Sequence, residues 1–221
     1  MTESSPPSRA SPKRRMPRVD RPARQASYVR IAAETFHDLG LQRAAMRDIA
    51  ERAGVAKILI YRQFASKEAL LAAIFEEVLQ EIRAVYDAPW PGYGAALMEV
   101  LRRARENRAA YLLLLRDCRS DPEAKRWYDI YEDRQVEPFM VFLKPAEGAP
   151  PGAEDRARIG ARSLVGIVTE TLINWIEDRD GLDDAERVRW FGHIVREWRR
   201  ITRAVYRLDA SSAPALQGRP N

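Results

Sequence analysis

The side chains best suited to chemistry lie between Met46 and Phe64, in the segment MRDIAERAGVAKILIYRQF. Lys57 and Arg62 supply N–H donors for phosphate oxygens, and Tyr61 adds a ring with a hydroxyl group. No acidic residue stands between Lys57 and Arg62. Cationic and aromatic side chains without acidic neighbours suit contact with a polyanion, so the segment indicates binding to nucleic acid.

The spacing around these residues predicts a helix-turn-helix. This motif needs a small residue where its helices touch, a glycine where the turn requires positive φ, and an apolar residue that seats the second helix. Ala50, Gly54 and Ile60 have this spacing. The second helix, which enters the major groove in this motif, then presents five residues outward: Ala56, Lys57, Ile58, Tyr61 and Arg62. An ordinary pair of packed helices is the alternative.

Charge is distributed unevenly along the chain, whose net charge is +5. Residues 1–67 contain fourteen lysines and arginines against six acidic residues, a net charge of +8, and the remainder carries −3. A basic end is typical of a protein with a polyanionic partner. Residues 1–23, rich in Pro, Ser and Arg, are predicted to be a disordered basic arm that attracts phosphate or, alternatively, only aids solubility.

The sequence offers little for catalysis. Cys118 is the only cysteine, and no Cys/His group has the spacing of a zinc site. No set of nucleophile and base stands out, and no glycine-rich loop that would hold phosphate. We therefore expect no enzyme activity, no cofactor and no metal. The absence of a long apolar stretch and of a signal sequence predicts a cytoplasmic protein without a membrane partner.

Helical periodicity dominates from Arg24 onward, with breaks where Pro and Gly cluster. The pattern predicts an all-α fold of nine helices, over residues 24–39, 46–53, 57–63, 67–87, 94–106, 107–118, 121–143, 154–178 and 184–207. A three-helix DNA-binding domain is predicted over residues 24–68, and a helical ligand-binding and dimerisation domain over 69–208. Residues 209–221 are predicted to form a disordered tail.

Two segments, IAAETFHDLG from Ile31 and MRDIAERAGVAKILIYRQFASKEALLAAIFEEV from Met46, resemble the N-terminal region of the TetR/AcrR family of transcriptional regulators. The shared positions are Ala33, Phe36, Gly40, Asp48, Ile49, Ala50, Ala53, Gly54, Val55, Tyr61, Phe64, Lys67, Glu68, Ala69 and Leu70. The resemblance implies that Lys57 and Tyr61 contact DNA. It also implies that Lys67 meets a phosphate near the start of the fourth helix.

The segment departs from the family pattern where hydroxyl residues are usual, at Ala44, Ala45 and Ala56. We expect Arg43, Arg47 and Arg62 to replace these donors, and Ile58 to contact a thymine methyl group. The alternative is a helical adaptor that kept the scaffold but binds DNA weakly or without sequence preference.

Apolar residues in the last two predicted helices recur at spacings of three and four, which forms a packing seam. Burial inside one chain would explain this pattern. We favour a homodimer interface, which the resemblance also implies, because two copies would present two recognition helices to a pseudo-palindromic DNA site. The interface is predicted to contain Leu164, Val168, Leu172, Phe191, Ile194, Trp198, Ile201 and Val205.

The middle helices concentrate aromatic residues, which either fill the core or line a ligand cavity. The candidate ligand-binding residues are Tyr111, Leu114, Cys118, Trp127, Tyr131, Phe139 and Trp175. Together these features predict a DNA-binding repressor that a small apolar or aromatic effector releases from its operator.

Overall fold

The computed structural model describes residues 21–89 and 92–209, and this part of the chain is entirely helical. Nine α-helices and one 3₁₀ helix are present in it. They are α1 (Arg21–Leu39), α2 (Met46–Arg52), α3 (Lys57–Tyr61), α4 (Lys67–Asp87), α5 (Tyr93–Glu106), α6 (Arg108–Leu115), η1 (Asp117–Ser120), α7 (Lys125–Met140), α8 (Ala153–Ile176) and α9 (Asp184–Val205). The all-α prediction is confirmed, and every predicted helix has its counterpart.

The boundaries differ most around the sixth and seventh helices. The helix predicted over 107–118 ends as an α-helix at Leu115, and η1 follows it. The next helix begins at Lys125 instead of residue 121, because the Asp121 carboxylate accepts hydrogen bonds from the backbone N–H groups of Glu123 and Ala124, at 3.0 and 2.9 Å. Asp121 therefore caps a turn that precedes α7.

The start of α1 also differs from its predicted boundary. Residues 21–23, assigned to the disordered arm, form the first turn of α1. The rest of the predicted arm, residues 1–20, and residues 210–221 of the predicted tail lie outside the described residues.

Phe36, Ile49 and Ile60 of the first three helices are fully buried and belong to the hydrophobic core that continues into the later helices. Gly40 ends α1 with a φ of +86°, a conformation that glycine adopts without strain. Ser66 caps α4, because its hydroxyl accepts a 3.1 Å hydrogen bond from the backbone N–H of Ala69. These local signals fix where α2 and α3 lie relative to α4.

The remaining helices pack around α6, whose residues 110–115 are all buried. Helix α1 packs on α6 and α4, α7 packs on α8, and α5 packs on α9. Helix α4 belongs to both halves, since it starts beside α3 and ends among the helices of the larger half. Within the described residues, no helix has the length and apolar character needed to cross a bilayer.

Candidate nucleic-acid interface and adjoining sites

Helices α2 and α3 form the predicted helix-turn-helix. Ala50 and Ile60 are buried, and Gly54 has a φ of +64° in the turn between the helices. The N–H of Val55 donates a 3.0 Å hydrogen bond to the carbonyl of Ala50, which closes that turn. A side chain at residue 54 would be strained in this conformation. Ala50, Gly54 and Ile60 therefore have the roles in the helix-turn-helix that their spacing predicted.

The outward face of α3 consists of exposed side chains. Ile58 is 63% exposed, and Lys57 and Tyr61 stand beside it with the Lys57 ammonium 5.3 Å from the centre of the Tyr61 ring. Ala56 and Arg62 are exposed as well. An apolar side chain this exposed has no packing role in one protomer, so it is available to a partner.

The replacement cations lie around this face. Arg43 and Arg47 are exposed, and the Nε of Arg43 donates to the Leu39 carbonyl at 3.1 Å. Arg62 is exposed, whereas Arg47 lies 3.4 Å from the carboxylate of its neighbour Asp48. Arg52 is held by Glu34 and Asp38 of α1 and holds α2 on α1. Arg43 and Arg62 are therefore the exposed cations that leave this surface basic, while Arg47 and Arg52 are paired.

The starts of α2 and α3 lack side-chain caps, because Ala45 and Ala56 stand there. At α2 the Asp48 carboxylate accepts a 2.8 Å hydrogen bond from the N–H of Ala45 and satisfies part of the helix start. No side chain does the same for α3. The recognition helix is short and is held mainly by the burial of Ile60.

Lys67 is half-buried, and its ammonium donates to the carbonyls of Leu41 and Gln42 and lies 5.6 Å from the Phe36 ring. In this arrangement the side chain joins the start of α4 to the turn after α1. The ammonium has three N–H donors, so one is left for the phosphate contact that the family resemblance implies, and that contact stays a prediction.

A mostly apolar pocket lies between α4, α5, α7, α8 and α9. Its cavity volume is about 20 Å³, roughly the space of one water molecule, so a larger molecule would bind only if the lining side chains moved apart. Its lining side chains are Tyr86, Ala96, Leu97, Phe139, Phe142, Leu164, Val168, Phe191 and Val195. The Tyr86 hydroxyl is the polar group among these side chains, so the pocket suits an apolar molecule.

Of the seven candidate ligand-binding residues, Phe139 lines this pocket and six do not. The six are Tyr111, Leu114, Cys118, Trp127, Tyr131 and Trp175, and their role in ligand binding stays a prediction. Tyr111, Leu114 and Cys118 are buried around the central α6. Tyr131 is buried against α8, where its hydroxyl lies 3.0 Å from the Thr169 hydroxyl. These side chains form the packed interior instead of the pocket wall.

The two tryptophans among the candidate ligand-binding residues, Trp127 and Trp175, pack outside the pocket wall. Trp175 packs edge-on against Phe191, with ring centres 6.0 Å apart, and so lies behind the pocket wall. Trp127 packs against Phe75 and lines a separate cleft beside Lys67. Burial raises the pKa of the Cys118 thiol, so the reactive thiolate form is disfavoured.

The predicted dimer residues divide into two groups. Leu164, Val168, Leu172 and Phe191 are buried inside the protomer, and three of them line the pocket. Within one protomer these four side chains pack in its own core, so they offer little surface to a second copy, and their place in an interface stays a prediction. Ile194 and Trp198 are half-buried, and Ile201 and Val205 are exposed, the last at 68%.

Two exposed residues that the sequence analysis did not assign extend this surface. Ile159 on α8 and Trp190 on α9 are both exposed. With Ile194, Ile201 and Val205 they form what we call the outer α8–α9 face. A helical spacing in the sequence could have identified the α9 part of this face. The apolar residues recur at steps of four, seven and four, at Trp190, Ile194, Ile201 and Val205.

A buried arginine also escaped the sequence analysis. Arg187 on α9 is 2% exposed and donates hydrogen bonds to Asp178, Asp180 and Asp184. Asp184 also pairs with Arg105 of α5. The guanidinium thus joins the α8–α9 connection to the start of α9, next to Phe191 in the pocket wall. The signal was the run of aspartates from 178 to 184 followed by an arginine.

An all-helical chain with an outward-facing helix-turn-helix and a separate apolar pocket defines a DNA-binding regulator. Residues 29–74 match the family described as bacterial regulatory proteins, tetR family. The chain is 39% identical over 194 residues to the HTH-type transcriptional activator FasR of Mycolicibacterium smegmatis, a match that covers 84% of this chain and 86% of that protein. The chain belongs to the TetR family of bacterial transcriptional regulators.

Two other comparisons are more limited. The A-factor receptor protein of Streptomyces griseus is 49% identical over 51 residues, which is 23% of this chain and 18% of that protein. The crystal structure of the regulator FadR from Bacillus subtilis in complex with stearoyl-CoA matches with a TM-score of 0.57, over 77% of this chain and 96% of that one. At 16% identity it shows the shared fold alone.

Proposed function

We propose that this protein binds a pseudo-palindromic operator as a homodimer, with the exposed face of α3 in the major groove, and that an apolar effector changes its affinity for DNA. The single observation that carries the proposal is the outward face of α3. Lys57, Tyr61 and Arg62 stand exposed there around Ile58, while Ile60 holds the helix from behind. Because its partner is DNA, we place the protein in the cytoplasm.

The outer α8–α9 face supports the homodimer. It exposes Ile159, Trp190, Ile201 and Val205 on neighbouring helices, and a second copy would remove this apolar surface from water. A two-fold pairing uses the same patch on both copies and needs no further partner. It also supplies the two recognition helices that a pseudo-palindromic site requires.

Helix α4 offers a rigid connection between the pocket and the DNA-binding half. It runs from Lys67, which contacts the turn after α1, to Tyr86 in the pocket wall. At about 1.5 Å per residue, the 21 residues of α4 span about 31 Å. An effector that displaces Tyr86 will therefore move the other end of the same helix. It shifts the equilibrium only if it binds one arrangement better than the other.

The direction of regulation needs its own measurement. FasR is named an activator, whereas our proposal is a repressor that leaves the operator when the effector binds. A promoter fused to a reporter gene, with and without the regulator, decides between them. Higher reporter output without the protein supports repression, and lower output contradicts it.

DNA titration at several salt concentrations tests the proposal itself. We expect binding selective for DNA from the protein's own upstream region, with a steep dependence of affinity on salt. Arg62→Ala should reduce the magnitude of the log–log salt slope by about 0.9 for each phosphate that Arg62 neutralises. Arg83→Ala is the matched control, because Arg83 pairs with Asp87 on α4. Equal, weak binding to every sequence would contradict operator recognition.

The missing caps favour a second function, that of a helical adaptor. Ala45 and Ala56 make no side-chain cap at α2 and α3, and α3 has five residues. A poorly held recognition helix would bind DNA without sequence preference. The same titration separates the two functions, since an adaptor would show no preference for the upstream DNA.

A further inference from the structure

Ile58 lies on the side of α3 opposite the residue that anchors this helix. Ile60 is fully buried, and Ile58 precedes it by two residues, which at about 100° per residue places it about 160° around the helix axis. Ile58 is also the most exposed apolar side chain of α3. Arg62 follows Ile58 by one helical turn and therefore lies on the same outer side. Whatever binds this side of α3 will contact Ile58.

The neighbours of Ile58 indicate that its partner is a polyanion. Lys57 precedes it and Arg62 lies one turn beyond it, and both are exposed. No acidic residue occurs between Arg52 and Glu68. A second copy that packed here by two-fold symmetry would bring its own Lys57 and Arg62 against the same cations, which like-charge repulsion disfavours. The apolar side chain therefore meets DNA rather than another protomer.

Base pairs differ in what they offer an apolar side chain in the major groove. Thymine is the base that presents a methyl group there, whereas guanine, adenine and cytosine present hydrogen-bond donors and acceptors. Ile58 can neither donate nor accept a hydrogen bond. Its contact with those polar groups would remove them from water without a replacement partner, which costs free energy. Ile58 therefore favours thymine and disfavours the other bases.

We propose that Ile58 determines operator specificity by packing on the methyl group of a thymine in each half-site. The inference rests on the proposed function, because it names the base feature that the same helix recognises. Ile58 is the second residue of α3, and the first residues of a recognition helix are those that reach base edges. This contact is apolar and so independent of salt, whereas the cations around it supply the salt-dependent part of the affinity.

Uracil in place of thymine tests the inference, because it removes the methyl group and keeps the hydrogen-bonding groups of the base pair. The full-length protein is titrated at low and high salt with the upstream DNA fragment that it selects, synthesised with thymidine or with deoxyuridine at every thymine position. Burial of one methyl group corresponds to about fourfold in affinity, so two half-sites should give about sixteenfold weaker binding to the uracil fragment. We expect this ratio to be the same at both salt concentrations.

Variants assign the methyl contact to one side chain. Ile58→Ala should abolish most of the uracil penalty, because the methyl group then has no apolar partner, and Ile58→Val should keep part of it. Leu59→Ala is the matched control and should keep the full penalty, since Leu59 is less exposed and points about 100° away from Ile58 around the helix. The melting temperature should stay unchanged in Ile58→Ala, because the side chain is exposed.

The outcomes separate this inference from the proposed function. Equal affinity of the wild-type protein for both fragments would overturn methyl recognition but leave operator binding standing. A uracil penalty of the same size in wild type and Ile58→Ala would overturn the role of Ile58. A lower fraction of dimer for Ile58→Ala without DNA would overturn it too, because the side chain would then pack on a second copy. If the thymidine fragment binds no better than unrelated DNA, the proposed function fails as well.

Discussion

Gln42 donates a 2.8 Å hydrogen bond to the carboxylate of Asp121, across 79 positions of the sequence. Gln42 follows α1 in the DNA-binding half, and Asp121 follows η1 in the larger half. His37 lies 3.4 Å from Asp117 in the same region. These polar contacts connect the two halves beside the end of α1.

Gln42→Ala should weaken communication between effector and operator. The hydrogen bond that it removes is worth about 0.5–1.5 kcal/mol, so the effector-induced change in operator affinity should shrink by about two- to tenfold. Operator affinity is measured with and without dodecanol as an apolar probe. Gln80→Ala, at an exposed position on α4, is the control and should leave that change intact. A response of unaltered size in Gln42→Ala would show that coupling does not pass through this contact.

Tyr61→Ala should weaken operator binding by about tenfold or more, because a direct base contact is worth about 1–3 kcal/mol. The side chain is exposed, so the melting temperature should stay unchanged. Tyr61→Phe keeps the ring and separates its contribution from that of the hydroxyl. Affinity is measured for operator and for unrelated DNA. Operator affinity that survives Tyr61→Ala would place the base contacts elsewhere.

Ile201→Glu should dissociate the homodimer. Its side chain is half exposed in the protomer, and a carboxylate there would be desolvated against a second copy. Sedimentation velocity measures the fraction of dimer, and operator affinity should fall with it. Val141→Glu is the control, because Val141 is exposed at the C-cap of α7 and belongs to neither α8 nor α9. If Val141→Glu dissociates the dimer and Ile201→Glu does not, the interface lies elsewhere than on the outer α8–α9 face.

Arg187→Met should lower stability at neutral pH by about 1–3 kcal/mol, since it removes hydrogen bonds between charged groups. Hydrogen bonds from Arg187 lower the pKa of Asp180, and those from Arg105 and Arg187 lower the pKa of Asp184. The ionised carboxylates therefore stabilise the fold above their unfolded pKa. That stabilisation is lost as pH falls through the lower folded pKa values, below about pH 4.

Thermal melting between pH 7 and pH 3 measures this contribution. The wild-type melting temperature should fall more steeply below about pH 4 than that of Arg187→Met. Arg189→Met, at an exposed position on the same helix, should follow the wild-type curve. Parallel curves for wild type and Arg187→Met would mean that these carboxylates do not contribute to acid sensitivity.

Cys118 should behave as an inert thiol. It is buried, and burial raises its pKa, so little thiolate forms at neutral pH. Modification by a thiol reagent should be much slower in the native protein than in urea, and mild oxidant should leave operator affinity unchanged. Rapid modification of the native protein would show instead that the thiol is accessible and reactive.

Local patterns predicted the helices and the recognition helix well. Gly40, Gly54 and Ser66 act through backbone geometry within a few residues, so their effects follow from neighbouring positions in the sequence. The direction in which Ile60 and Tyr61 point follows from the 3.6-residue period in the same way.

Contacts between distant helices could not be predicted from these patterns. The apolar spacing of α9 fits a core face and a dimer face equally, and in the protomer Phe191 lies on the core face. The pocket wall combines Tyr86 with Leu97 and Val195, which belong to three helices whose arrangement no local rule fixes. The contacts of Lys67 could not be foreseen either, because the carbonyls of Leu41 and Gln42 that it binds lie 26 and 25 positions away.

Helix α9 is shared between the two binding surfaces of the protein. Phe191 and Val195 form part of the pocket wall, while Ile194 and Ile201 on an adjacent side belong to the outer α8–α9 face. A rigid helix cannot move on one side alone. In the proposed homodimer, filling one pocket would therefore alter the helix that the second copy packs against, and occupancy of the first pocket would change affinity at the second. The binding curve of the effector should then be cooperative.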